Sequence, residues 1–296
     1  MQRLATRRPG RRGFAALALA ALLAGAAPAQ EAPAIPLRVR PRVGDTLRTR
    51  YERDVRMTGV TKVGGRDTTL VTTTSTLILA RLVVQTSDAA GCTLLGITDS
   101  VAVLSVGSQA LSPGESVRRE MQGKRILLRV APDGSSSVMS APQDLDPEVG
   151  SFAQALPSVL PKSPVAPGAA WESALGVPVA GEPGSGRGAR LRVRYRFDSL
   201  GAGGPDAFVS LRGRMTRDSA DGPVRGGAQL ASNAEITGAL TLDRTRGWWK
   251  DSRMVITLRS VITPPPGSDA PPVRVETRIT QRLRTEPAGL PAAPPR

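Results

Sequence analysis

Residues 190–197 read RLRVRYRF, with Leu191, Val193, Tyr195 and Phe197 at alternate positions and Arg190, Arg192, Arg194 and Arg196 between them. A period of two is the side-chain period of an extended strand with one buried face and one wet face. The pattern recurs at 37–43, where Leu37, Val39, Pro41 and Val43 alternate with three arginines. It recurs again at 273–284, where Val273, Val275, Ile279 and Leu283 alternate with charged residues. Longer apolar or Thr-rich runs at 68–85, 92–105, 126–130, 207–214, 234–242 and 254–262 are rich in β-branched residues and read as further strands. Turn chemistry separates neighbouring runs at Pro132-Asp133-Gly134, at Asp221-Gly222-Pro223, and at 243–247 before Trp248-Trp249. Runs joined by such short turns pair antiparallel.

One segment departs from this period. Asp146 is a capping residue, Pro147 suits a first helical position, and Val149, Phe152, Ala153 and Leu156 follow helical spacing until Pro157 stops them. The spacing predicts a helix over 147–156. The Pro-rich stretch that follows, ending at Pro167-Gly168, marks a boundary near residue 165. Val43-Gly44-Asp45-Thr46-Leu47 opens the first half, and Pro167-Gly168-Ala169-Ala170-Trp171 opens the second in a similar way. The expected fold is therefore mainly β: a strongly curved antiparallel sheet, either a half-barrel or two similar β lobes, with one mid-chain helix. A β-sandwich is the alternative. The lobes run 37–165 and 166–286, preceded by a disordered stretch at 30–36 and followed by a disordered Pro-rich tail at 287–296.

The first 29 residues read as an export signal. Five arginines and no acid precede an uncharged Ala/Leu run at 14–27, and Ala27-Pro28-Ala29 supplies a small-x-small cleavage pattern. That apolar run is shorter than the ~20 residues a membrane span needs. Arg11-Arg12-Gly13-Phe14 is similar to a twin-arginine signal. Ala26 stands where a lipobox would need cysteine, so the expected mature chain is periplasmic or secreted and soluble, without a lipid anchor. Losing the leader removes five of the 40 Lys and Arg residues, leaving 35 against 25 acids, near +10.

Composition limits the chemistry. There is no histidine in the 296 residues and one cysteine, Cys92. Histidine-based triads, Cys-His pairs, imidazole metal sites, disulfides within the chain and thiolate zinc clusters are thereby excluded. Paired carboxylates stay open as a catalytic route, which keeps a glycan hydrolase as an alternative. Asp144-Leu145-Asp146-Pro147-Glu148 has the outline of a calcium loop, but Val149 replaces its glycine and Ala155 its closing glutamate. No nucleophile, cofactor or phosphate-loop motif is found, so no catalytic residue, metal ligand or cofactor is assigned and the chain reads as a non-enzyme. Nine aromatics and an exported destination argue against nucleic acid as partner.

Two binding surfaces follow from the strand and helix patterns. Val149, Phe152 and Leu156 share one helix face and are expected to cover the concavity of the sheet, where a lipid, another apolar ligand or an envelope protein would bind. Alternation across Trp248-Trp249 sends one ring outward, making Trp249 a further candidate contact. Arg190, Arg192, Arg194 and Arg196, about 7 Å apart along one strand face, form the candidate site for an envelope polyanion. Cys92 opens an apolar strand and reads as a small buried hydrophobe.

The Val130-Ala131-Pro132-Asp133-Gly134 hairpin, the Leu156-Pro157 and Leu160-Pro161 steps and the strand opened by Pro167-Gly168 to Trp171 resemble uncharacterised exported β-rich proteins of Gram-negative bacteria. More remotely, the chain resembles the half-barrel of lipoprotein carriers, in which a curved sheet cups an acyl chain beneath a helix. That resemblance spans most of 37–286 and implies a carrier-like envelope protein. It assigns no individual binding residue.

Overall fold

A computed structural model describes residues 33–107, 122–141, 160–177, 189–216 and 227–287. Among these residues, eleven strands form one antiparallel sheet. They are β1 (Thr46–Val63), β2 (Arg66–Asp88), β3 (Gly91–Gly107), β4 (Arg125–Val130), β5 (Ser136–Ser140), β6 (Ala170–Val177), β7 (Ala189–Leu200), β8 (Asp206–Thr216), β9 (Gln229–Asp243), β10 (Trp248–Thr263) and β11 (Val273–Pro287). Their order across the sheet is β5-β4-β3-β2-β1-β11-β10-β9-β8-β7-β6. Each half of the chain is a meander of neighbouring hairpins, and the halves join where β1 pairs with β11 over registers such as Tyr51↔Leu283 and Val55↔Ile279. The edges, β5 and β6, are not paired with each other, so the sheet is open. A sandwich needs two sheets and is set aside. The described residues contain no helix, and the helix expected at 147–156 lies outside them.

The sheet curls, and two connections establish this. The amides of the consecutive residues Val39 and Arg40 donate to the carbonyls of Pro132, in the β4–β5 turn, and Gly247, in the β9–β10 turn, each at 2.9 Å. Those carbonyls are thus within about 10 Å of each other, whereas six strand spacings of a flat sheet would separate them by about 29 Å. Leu160 donates to Asp133 in the β4–β5 turn and Gly168 donates to Phe197 of β7. Eight residues reach at most about 29 Å, while the flat distance would be about 41 Å.

A strap formed by residues 35–45 therefore crosses one end of a curved sheet. The expected strand at 37–43 is corrected here: the segment alternates as read through Leu37 and Val39, which are buried, but Val43 is exposed, and the segment lies over the sheet end, tied by the Val39 and Arg40 amides and without a ladder; the one bridge nearby, Ile35↔Val165, precedes it. Burial of alternate residues requires an extended chain against a packed surface, and it does not require a ladder.

The inner, concave face carries the core. Leu191, Val193, Tyr195 and Phe197 of β7, Leu47 and Tyr51 of β1, Ile78 and Leu82 of β2, Leu94 of β3 and Leu240 and Leu242 of β9 join Leu37, Val39 and Leu160 in one cluster. Each fully buried large apolar side chain contributes about 1.5–3 kcal/mol. Cys92 is buried in this cluster, as its sequence context suggests. Burial is concentrated at the strap end; towards the β1–β2 turn the same face continues with half-buried residues.

Candidate functional site

The registers define what the inner face offers beyond the strap-end core. On β1 the inner positions after Tyr51 are Arg53, Val55 and Met57. On β11 they are Gln281, Ile279 and Thr277, and on β10 they are Met254, Ile256 and Leu258. β2 contributes Thr76, Thr74 and Thr72, and β3 contributes Val103 and Ser105. Apolar side chains thus run across Val55 and Met57 of β1, Ile279 of β11 and Met254, Ile256 and Leu258 of β10, while β2 presents hydroxyls, of which Thr74 meets Ser105 of β3 at 3.0 Å. Met57 is 45 % exposed and Leu70, nearer the turn, is 50 % exposed. Large apolar side chains left half-open on a concave face form a surface suited to an apolar occupant.

The position of Arg53 is unlike that of any other charged residue of these strands. It lies directly between Thr76 of β2 and Gln281 of β11. Its Nε is buried and meets no hydrogen-bond partner. Sequence reading misses it because β1 itself is hard to read: Thr49 and Arg53 occupy inner positions and break the apolar alternation of Leu47, Tyr51, Val55 and Met57. The usable signal is that break, a charge in register with buried residues. Tyr51, the next inner residue, has its phenol pKa raised by burial, with the Arg53 charge lowering it in partial opposition.

The residues singled out from sequence fall in different places. Val149, Phe152 and Leu156 lie outside the described residues. Trp249 is 1 % exposed and Trp248 2 %, so neither ring points into solvent. A register irregularity between Trp249 and Asp251 breaks the simple alternation, and the Arg40–Gly247 hydrogen bond brings the strap onto this sheet end. Asp243 Oδ1 accepts from the Thr245 and Arg246 amides, both at 3.0 Å, and shapes the turn that delivers the tryptophans.

Arg192, Arg194 and Arg196 are exposed on the outer face; Arg190 shares their strand, but its side chain lies outside the described set. The register places Arg192 opposite Arg214 and Arg194 opposite Arg212. Like charges directly opposite one another are destabilising, and acids offset part of the excess: Glu172 of β6 stands opposite Arg194, Asp198 lies 3.8 Å from Arg196 and Glu235 lies 3.7 Å from Arg214. A groove of about 740 Å³ across β9, β10 and β11, whose lining includes the inner-register residues Ser232, Ser260 and Val275, also contains the outer Arg259–Glu276 pair at 3.0 Å, and on the outer face a depression of about 630 Å³ gathers Arg48, Arg50, Arg81 and Arg284. Among the described residues no group of three His, Cys, Asp or Glu side chains is arranged to hold a metal ion.

No family model and no curated protein matches the chain. Among solved structures, an outer membrane lipoprotein-sorting protein domain from Vibrio parahaemolyticus aligns at 14 % identity and a TM-score of 0.23, covering 81 % of this chain and 87 % of that one. An outer membrane channel from Pseudomonas putida F1 aligns at 12 % identity and a TM-score of 0.22, covering 88 % and 99 %. A protein from Desulfovibrio piger, of a family without assigned function, aligns at 13 % identity and a TM-score of 0.12, covering 82 % and 87 %. The first of these is of the lipoprotein-sorting class that the sequence resembles. Scores of this size do not establish a common fold.

Proposed function

We propose that the protein is a non-enzymatic binding protein of the bacterial envelope that holds an apolar ligand, or an apolar segment of a partner, against the concave face of its sheet. One observation carries the reading. The inner face is continuous from the strap end to the β1–β2 turn, but Leu37, Val39 and Leu160 fill only one end of it, leaving Val55, Met57, Ile256, Leu258 and Ile279 partly uncovered. Apolar area in a concavity gains by burial at about 25 cal/mol per Å², so an acyl chain laid along these residues is favoured over water. Val149, Phe152 and Leu156 are assigned to cover that ligand, and the leader to deliver the protein to the periplasm.

Native mass spectrometry and lipid extraction of protein purified from its own periplasm test this. A co-purifying apolar mass that is released by organic solvent is the expected result. A protein that emerges empty and takes up no lipid after delipidation and re-exposure would remove the reading.

A second reading, for the outer face, is an anion-binding surface. It is favoured by the facing arginine pairs Arg192–Arg214 and Arg194–Arg212, with Arg190 and Arg196 extending the row.

A further inference from the structure

Arg53 has no ordinary structural reason to sit where it does. The inner positions of the described strands, from the strap end to Val63 and Thr68, hold apolar residues, glycine, Thr, Ser, Tyr and Gln, and Arg53 is the one charge among them. The next inner-face charge in register, Arg66, belongs to the exposed turn end. Arg53 is flanked by uncharged partners, Thr76 and Gln281, and its Nε is out of water with no acceptor. Leaving a buried donor unsatisfied is costly, and a guanidinium is the side chain best shaped to take a carboxylate or phosphate oxygen pair.

Its place along the strand matters equally. Toward the strap end Arg53 is followed by Tyr51 and the packed core; toward the turn come Val55 and Met57, with Ile279 beside Val55 and Ile256 beside Ile279. A cation therefore stands where the filled part of the face ends and the uncovered apolar part begins.

We infer that the ligand is an anionic amphiphile whose carboxylate or phosphate head pairs with Arg53, while its chain runs over Val55, Ile279, Ile256 and Met57 towards the β1–β2 turn. This rests on the apolar-ligand reading above and adds the chemistry of the head group. Thr76 and Gln281, directly beside Arg53, are placed to donate further hydrogen bonds to that head.

Calorimetric titration of delipidated, full-length protein with dodecanoate and with dodecanol separates chain from head, because the probes share a chain and differ in charge. The expected result is binding of both, with dodecanoate tighter by about tenfold or more, as a charge-assisted hydrogen-bonded pair implies. The preference should disappear in Arg53→Gln and persist in part in Arg53→Lys, which keeps the charge but loses the fork. Urea unfolding of unliganded Arg53→Gln should give a midpoint equal to or above the parent's, since the variant removes an unsatisfied buried donor. Equal affinity of the parent for both probes would overturn the head-group assignment and leave the apolar-ligand reading standing. A Gln variant that keeps the full preference, or unfolds well below the parent, would overturn it too. Binding of neither probe would remove both readings together.

Discussion

At the residue scale, the curl of the sheet depends on a few close approaches. Gly247 has φ +62°, and a Cβ added there would lie 2.5 Å from the Arg40 carbonyl oxygen. Glycine is needed twice at this position, for the left-handed backbone and for the approach of the strap. Gly44, with φ +86°, meets the first requirement but has open space around its missing Cβ. The two positions form a matched pair. Gly44→Ala should cost about 1–2 kcal/mol, the conformational penalty alone. Gly247→Ala should cost clearly more and should raise hydrogen exchange at the Val39 and Arg40 amides, which Gly44→Ala leaves protected. Equal losses in urea unfolding, with both amides protected in each variant, would show that the strap does not depend on the Gly247 contact.

At the element scale, legibility followed the contrast between faces. The β7 pattern at 190–197 was readable because every inner residue is large and apolar and every outer one charged, and the structure extends it only to Ala189–Leu200. The strands at 68–85, 92–105, 126–130, 207–214, 234–242 and 254–262 are likewise legible, with ends short by up to several residues; the largest shortfall, 248–253 of β10, holds the buried Trp248, Trp249 and Ser252, where the irregularity after Trp249 breaks the period of two. β1, the strand that joins the two halves of the sheet, was not read, because threonine and Arg53 on its inner face erase the contrast. The candidate site was obscured for the same reason: an arginine in a row of arginines attracts no notice until register shows that it faces inward. On β7 and β8 the arginines face outward, and a prediction belongs to that pair of strands. Replacing Arg192, Arg194, Arg212 and Arg214 by Gln removes two directly opposed like-charge pairs. Stability should change by no more than about 1 kcal/mol, because the side chains are exposed and screened. Retention on a heparin column should fall to a markedly lower salt concentration. Unchanged retention would take the anion-binding surface away from this part of the sheet.

At the scale of the whole molecule, one core cluster ties β1, β3 and the strap into a single packed body, and its ionisable members couple that packing to pH. Burial pushes the Cys92 thiol from 9.0 up to about 11, with Arg129 opposing and Asp88 adding to the shift. Burial also raises Tyr51, and the hydrogen bond to Asp206 at 2.7 Å raises Lys250. All three shifts have the same sign in pH. Below about pH 9 the Cys92 thiol keeps its proton in both the folded and the unfolded chain. Between 9 and about 11 the unfolded chain releases the proton while the folded chain retains it, so unfolding gains and stability falls. For Cys92 alone the loss is roughly 2–3 kcal/mol across that interval, from about 1.4 kcal/mol per pKa unit. Tyr51 extends the decline to higher pH, because its phenol too must ionise in the unfolded chain before the folded one. Lys250 acts alike: the ammonium held by Asp206 stabilises the fold while the unfolded lysine is still protonated, and that contribution fades as pH rises through the raised value. Urea unfolding of the parent and of Cys92→Ala at intervals from pH 8 to 11 separates these contributions. The alanine variant should begin lower, because a buried side chain has been trimmed, and should then decline less steeply than the parent. Parallel curves would mean that the thiol ionises alike in both states, which is incompatible with its seat in the core beside β4.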